Sequence, residues 1–243
     1  MTKQTSKWQT AELAASFLNG VRGAIPGADL QMTTITKIVE HWTPNANRIL
    51  DIGCGDGILG RLLMEIYPEA HAFFLDFSEP MLAAARSKIV DSSRATVKQA
   101  DFSSPVWIDV VNGEKFDIVI SGFAIHHLPN TRKQALYAEI YQQLNPGGLF
   151  LNMEHVKSAT PAGEKLFDDL FVDNLYKFHK NLKSETSRQE IENTFYNRPD
   201  KSENILAPVE LQCDWLREIG FTDVDCFFKI FEIALFGGRK SEK

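Results

Sequence analysis

The sequence predicts an α/β fold: a seven-stranded, mostly parallel sheet with an antiparallel last strand, helices on both faces, N-terminal helices and a helical cap insertion. Three observations carry this expectation. Short apolar runs alternate with amphipathic segments from about Asn47 to His155, the rhythm of βαβ units. A glycine-rich turn, GCGDG, closes the first apolar run. Two β-rich runs end the chain and read as an antiparallel hairpin pair.

The elements follow in order. Arg48–Ile52 (RILDI) reads as a buried strand, and Ile58–Tyr67 as a helix with its apolar residues spaced for one face. His71–Phe77 (HAFFLDF) is the second strand. Ser78 caps the next helix, with Glu79 and Pro80 in its first turn. Thr96–Ala100 and Phe116–Ser121 (FDIVIS) are the third and fourth strands, and a helix runs from about Thr131 to Leu144. Asn145-Pro-Gly-Gly148 stops that helix, leaving Leu149–Met153 as the fifth strand. Pro208–Ile219 is a helix ended by Gly220, and Thr222–Phe228 and Ile230–Phe236 form the closing hairpin. Two segments break the rhythm. Residues 1–46 hold two helices around the breaker Ile25-Pro-Gly27, and residues 156–207 are polar, charged and helical in pattern.

Composition narrows the function. With 44% hydrophobic and 24% charged residues, the chain reads as an ordinary globular protein. A net charge of −6 opposes a broad grip on phosphate backbones, so no direct nucleic-acid binding is expected. No apolar run reaches the roughly 18 residues that span a bilayer, and the polar start MTKQTSKWQT has no apolar signal core. Cys54, Cys213 and Cys226 lie far apart without a CxxC pair, which suits a reducing cytoplasm and offers no metal site. The aromatic last strands (Phe227, Phe228, Phe231, Phe236) read as core, with a homodimer face as the alternative.

The turn Gly53-Cys54-Gly55-Asp56-Gly57 sits where a strand bends into a helix whose first N–H groups attract anions. Gly55, Gly57 and Gly60 also satisfy GxGxxG, a dinucleotide pattern. Three aspartates separate the readings. Asp51, just before the turn, would repel a pyrophosphate and attract an amino acid's ammonium. Asp76 ends the second strand, where a carboxylate takes both ribose hydroxyls. Asp101-Phe102 follow the third strand, suited to bond an exocyclic amine and stack an adenine.

With LDIGCGDG (50–57), FLDFSEPML (74–82), QADF (99–102), FDIVISGFAIHHL (116–128) and LNPGGLFL (144–151), the chain resembles the class I, Rossmann-like methyltransferases. The terminal hairpin resembles that family's reversed last strand. The resemblance implies S-adenosyl-L-methionine as cofactor and a small-molecule acceptor, with a single domain. That domain divides into residues 1–46, a cofactor-binding core over 47–155, a cap over 156–207, and a helix and hairpin over 208–238. It implies that Asp51 and the Gly53-Cys54-Gly55 turn hold the methionine part and that Asp76 holds the ribose. Phe77 and Met81 would flank the adenine, Asp101 and Phe102 would meet its edge, and backbone near Ser121 and Gly122 would meet the amino-acid end.

A sulfonium methyl is already activated, so alignment is the main demand. A general base is needed only for an acceptor that carries a proton, and His126 and His127 after the fourth strand are the candidates. The cap stretch Leu175–Phe195 carries Lys177, Lys180, Lys183 and Arg188, either an anion reader or a solvated face. The runs RKQALYAEIYQQLNPGG (132–148), TSRQEIENTF (186–195) and GFTDVDCFFKIFEIALFGG (220–238), with VRGAIPG (21–27), look like carboxy-S-adenosylmethionine synthase, a tRNA-modification enzyme. In that family a cap arginine holds the extra carboxylate, and Arg188 falls at the matching position. Gly55 and Asp56 depart from that family's turn, which has a serine and a bulkier residue there. The main reading is therefore ordinary methyl transfer. The synthase and a non-catalytic cofactor binder are the alternatives.

Overall fold

A computed structural model describes residues 10, 12 and 21–242. The first of the two expected N-terminal helices lies outside the described residues. The second is α1, Ala28–Trp42. The strands are β1 (Arg48–Ile52), β2 (His71–Asp76), β3 (Ala95–Gln99), β4 (Phe116–Gly122), β5 (Leu144–His155), β6 (Thr222–Ile230) and β7 (Ile233–Arg239). They form one seven-stranded sheet in the order β3-β2-β1-β4-β5-β7-β6. Pairing is parallel from β3 to β5, and β7 runs antiparallel to both of its neighbours.

The helices are α2 (Ile58–Ile66), α3 (Glu79–Lys88), α4 (Trp107–Val110), α5 (Asn130–Gln143), α6 (Pro161–Asn181), α7 (Arg188–Tyr196) and α8 (Val209–Ile219). Strands buried on both faces read as unbroken apolar runs, and here alternate residues feed two cores. Ile49, Phe74, Ile118 and Leu151 pack with Ile35 and Val39 of α1 and Leu63 of α2. Leu50, Phe73, Val119 and Phe150 pack with Leu136 and Ile140 of α5 and Leu216 of α8. Each fully buried Leu or Ile contributes about 1.5–3 kcal/mol relative to exposure. Phe236 is fully buried and Phe227 and Phe228 partly so, whereas Phe231 is exposed.

In the 156–207 segment, α6 is capped by Thr160, which accepts from Gly163 N at 3.1 Å. Ser187 and Glu190 close a capping box at the start of α7. The two helices meet through Phe167, Phe171 and Phe195, the last pair stacked at 5.4 Å. Among the described residues, no helix is long and apolar enough to cross a membrane.

Two boundaries differ from expectation. β5 begins at Leu144, so Asn145-Pro-Gly-Gly148 lies inside a strand rather than in a stop before one. The strand absorbs it by a register shift opposite Phe116 and Ile118 and a left-handed Gly147. The second hairpin strand starts at Ile233 because Phe231, at φ 49°, and Glu232 make the turn. Glu232 is nevertheless buried, folding back to accept from Ser158 N at 3.1 Å and to pair with His155 Nε2 at 2.9 Å.

A buried polar layer ties the elements behind the sheet edge. Tyr137 Oη donates to Gln212 Oε1 at 2.6 Å, and Gln212 Nε2 donates to the Ala207 carbonyl at 3.1 Å. Nearby, Glu154 at the end of β5 lies 2.6 Å from His126 Nδ1 and accepts from His155 N at 2.9 Å. Burial pushes its carboxyl up from 4.5 to about 7. Lys133, also buried, donates to Asn130 Oδ1 at 3.0 Å and to the Ile205 carbonyl.

Tyr137→Phe removes the donor to Gln212 and leaves a buried amide oxygen unmet. Urea unfolding is expected to show a loss of about 1–3 kcal/mol, and an unchanged midpoint would contradict the network. Glu154 gives a pH signature of definite sign. A carboxyl raised in the folded chain adds stability fully below its unfolded value and loses it as pH rises through about 7. Glu154→Gln cannot ionise, so the wild-type advantage over it should shrink from pH 5 to pH 8 by on the order of 1–3 kcal/mol. A difference that stays flat across that range would remove Glu154 as the titrating group.

Candidate active site

Strand order reverses between β1 and β4, and ligands of open parallel sheets bind beyond the carboxyl ends of the strands at such a point. A cavity of about 850 Å³ opens there. Its floor is the turn between β1 and α2. Gly53 adopts φ +63°, and a Cβ on it would stand 2.2 Å from Ala124 Cβ. Gly55, at φ +55°, has nothing within 4 Å of a built Cβ, so any side chain there would fill the cradle itself. The turn is fastened from below. Cys54 N donates to the Leu75 carbonyl at 3.0 Å, Gly55 N to Asp76 Oδ2 at 2.9 Å, and Gly60 N to Asp51 Oδ2 at 2.8 Å.

The side chains read from the sequence separate into two groups. Asp51, Gly53, Cys54, Gly55, Asp76, Phe77, Met81, Asp101, Phe102, Gly122 and His127 all line the cavity. Their order across the strand ends is set by the sheet: Asp101 after β3, Asp76 on β2, Asp51 on β1, and His127 beyond β4. Asp76 is nearly buried, and Ser78 N donates to its Oδ1 at 2.8 Å. Burial raises its carboxyl, while the N–H groups of Ser78, Gly55 and Phe77 oppose that. The Cys54 thiol is pushed well up by burial, with Asp51 adding to the effect, so it is no nucleophile at neutral pH.

Three positions do not reach the cavity. Ser121 is buried, its hydroxyl donating to the Ile52 carbonyl at 2.8 Å, and so it binds β4 to β1. His126 faces inward to Glu154 rather than onto the ligand rim, its ring centroid 3.9 Å from that of His127 with the two planes tilted by 48°. Arg188 lies on the cap's outer side, with Nε 2.7 Å from Asp173 and Nη1 3.2 Å from Glu192. Asp173 of α6 and Glu192 of its own α7 thus engage it. The rest of the basic stretch also stays outside the cavity, and Lys180 donates to the Ser184 carbonyl at 3.2 Å.

His127 has a defined chemistry. Its Nδ1 lies 3.2 Å from the Glu203 carbonyl, which can only accept, so Nδ1 carries the proton and Nε2 the lone pair. Burial and then the adjacent His126 lower its pKa to about 3, and burial lowers His126 well below the usual value.

Several wall residues were missed by sequence reasoning. Ile25, Ala28, Asp29, Gln31 and Met32 close one side from α1 and the turn before it. Ser202, Glu203 and Ile205 form a strap over the His127 end, held by Ile205 N donating to the His126 carbonyl at 2.9 Å. Phe123, at φ 53°, turns the chain off β4 into the cavity wall. A motif search has no means of finding them, since the fold alone carries them there. Among the described residues, no Lys or Arg lines the cavity, while five carboxylates do: Asp29, Asp51, Asp76, Asp101 and Glu203.

Comparison with known proteins agrees with this geometry. Residues 49–148 match the family described as a methyltransferase domain. The chain is 27% identical over 234 residues to a carboxy-S-adenosyl-L-methionine synthase of Shewanella amazonensis, covering 92% of this chain and 88% of that one. Its fold is similar to that of a Methanococcus maripaludis protein ascribed to the S-adenosyl-L-methionine-dependent methyltransferases, at a TM-score of 0.60 and 18% identity, covering 100% of this chain and 98% of the other. It is similar too to human N-acetylserotonin methyltransferase in complex with S-adenosylmethionine, at a TM-score of 0.59 and 16% identity. There 96% of this chain matches, and it spans 57% of the human enzyme's length. The carboxylates in strand order, the open glycine cradle and the match at residues 49–148 agree: on a Rossmann-like fold, those residues are similar to a methyltransferase domain, and along its length the chain resembles carboxy-S-adenosyl-L-methionine synthase.

Proposed function

We propose that the protein transfers the methyl group of S-adenosyl-L-methionine to a small-molecule acceptor bound in the same cavity. One observation carries this reading. A single space of about 850 Å³, in the upper part of the usual range for small-ligand sites, runs from Asp101 across the glycine turn to His127 and Met153. It has room for a cofactor at one end and an acceptor at the other. The cofactor supplies an electrophilic methyl on a sulfonium.

The chain's own residues bind and align. Asp51 attracts the methionine ammonium and Asp76 accepts from the ribose hydroxyls, its oxygens already turned to the site by Gly55 N and Ser78 N. Phe77 and Met81 flank the adenine, with Asp101 and Phe102 at its edge. Fixed alignment of reacting groups supplies several kcal/mol, up to about 7–11 in the best intramolecular cases. His127 serves as a hydrogen-bond acceptor through Nε2, because a base with a pKa of about 3 removes few protons at neutral pH. His126 acts behind it, holding the turn through Glu154 and the strap.

A second reading is favoured by the 27% identity to the synthase over most of both chains. A carboxylated cofactor would need a cation in the cavity. Gly55 and Asp56 in the glycine turn, where that family has a serine and a bulkier residue, support ordinary methyl transfer.

Three outcomes test this. Mass spectrometry of the small molecule that copurifies is expected to find S-adenosylmethionine or S-adenosylhomocysteine, and a carboxylated form would establish the synthase reading instead. Asp76→Ala removes a charged acceptor and should weaken S-adenosylhomocysteine binding by about 1.5–3 kcal/mol in a calorimetric titration. Equal affinity would mean the ribose lies elsewhere. Arg188→Ala should leave that affinity unchanged, whereas a marked loss would mean the cap swings its arginine inward.

A further inference from the structure

The strap that carries Ser202, Glu203 and Ile205 into the cavity wall is held to the core through its backbone. His127 Nδ1 donates to the Glu203 carbonyl at 3.2 Å, Ile205 N donates to the His126 carbonyl at 2.9 Å, and Lys133 Nζ donates to the Ile205 carbonyl. Ile205 is thus gripped at both its N–H and its C=O. Lys133 is fully buried on α5 and does not line the cavity, whereas the residue it holds does. One turn earlier on the same helix, Asn130 Oδ1 accepts from Lys133 at 3.0 Å and fixes where its head group points. A hydrogen bond from a charged group away from water is costly to break. The strap's tie to the cap is weaker, since Lys201 Nζ lies 3.9 Å from Asp168 of α6 and is 40% exposed. Fixed points bound the segment. Arg198 Nη1 donates to the Phe195 carbonyl at 2.9 Å, and the Ala207 carbonyl accepts from Lys157 N at 3.0 Å and Gln212 Nε2 at 3.1 Å.

We infer that Lys133 is a positioning residue that latches the strap shut, and that the strap swings between Arg198 and Ala207 to let the cavity's ligand in and out. The latch stands on these hydrogen bonds alone, and the ligand's identity as the methyl donor or its demethylated product rests on the methyl-transfer reading above. The other walls are parts of the folded core. The floor is sewn to β1 and β2, and α1 puts Ile35 and Val39 into the hydrophobic core. Residues 200–205 contribute to neither core, so the strap can lift without opening either one. Segments with few buried apolar contacts are the ones that open locally, and such lids commonly set the pace of entry and release. Weakening the latch raises the share of time the strap is open, which quickens passage in both directions.

The test uses Lys133→Met, which removes the donor, and Asn130→Ala, an exposed substitution that only loosens it. Hydrogen exchange on the ligand-free protein is expected to quicken at the Ile205 amide by at least about tenfold in Lys133→Met and about threefold in Asn130→Ala. The Cys54 amide, bonded to the Leu75 carbonyl, should keep its wild-type rate in both. In stopped-flow binding of S-adenosylhomocysteine, association and dissociation should both rise by at least about threefold, with Kd held within about twofold. An unchanged Ile205 amide overturns the latch, as does equal quickening at Cys54, which marks general loosening. A rise in dissociation alone overturns the gate, because damage to the site weakens affinity whereas a door changes both rates together. If Lys133→Met does not fold, Asn130→Ala decides by the same readouts. Failure of S-adenosylhomocysteine to bind the wild-type protein is a different result: it removes the methyl-transfer reading, while exchange at Ile205 still decides the latch.

Discussion

The fastening of one backbone turn governs the rest of the active site. Gly53 and Gly55 hold left-handed conformations that leave the chain open toward the cavity. Such a turn is costly to order, and of its own side chains buried Asp56 helps to steady it by pairing with Lys88 Nζ at 2.6 Å. Further stability comes from below, where two carboxylates and a strand carbonyl each take an N–H from the turn or the helix after it: Asp76 from Gly55, Asp51 from Gly60 of α2, and Leu75 from Cys54. Two aspartates proposed to face the ligand therefore also build the surface it rests on. Architecture and recognition share the same carboxyl groups.

Behind that surface lies a second layer whose order depends on neutrality. His126 and Glu154 are both buried and share a 2.6 Å contact, a distance set by one proton held between them. Lys133 and the His126 carbonyl hold the strap at Ile205 from both sides. The roof over the His127 end of the cavity is thus anchored to groups that do not line it. The β6–β7 turn joins them through Glu232 and His155, so the hairpin packs onto the same layer.

The core strands and the cavity residues at the ends of β1, β2 and β3 were legible because their residues act locally. RILDI and FDIVIS are apolar on both faces, and an aspartate at a strand end must sit at the sheet's rim. Legibility failed where position depends on packing between distant segments. Nothing in HH distinguishes His126, turned in to Glu154, from His127, turned out to the cavity. Arg188 was taken from family resemblance, but here Asp173 on the neighbouring helix engages it. Asn145-Pro-Gly-Gly148 carries every mark of a helix stop, yet pairing with β4 at Leu144 draws it into the strand. Asp29 and Glu203 lack any motif, and only the packing of α1 and the strap brings them to one space.

The placement of β7 bears on how the molecule is made. It is the last strand along the chain, yet it lies inside the sheet between β5 and β6, pairing with one at Leu149–His155 and with the other across the hairpin. Until Arg239 has left the ribosome, β5 presents an unpaired apolar border that includes Phe150 and Leu151, and β6 has no partner. Such a border recruits other strands indiscriminately. Between the emergence of His155 and that of Arg239 the nascent sheet therefore carries an open β5 edge, which closes only when β7 slides in between β5 and β6.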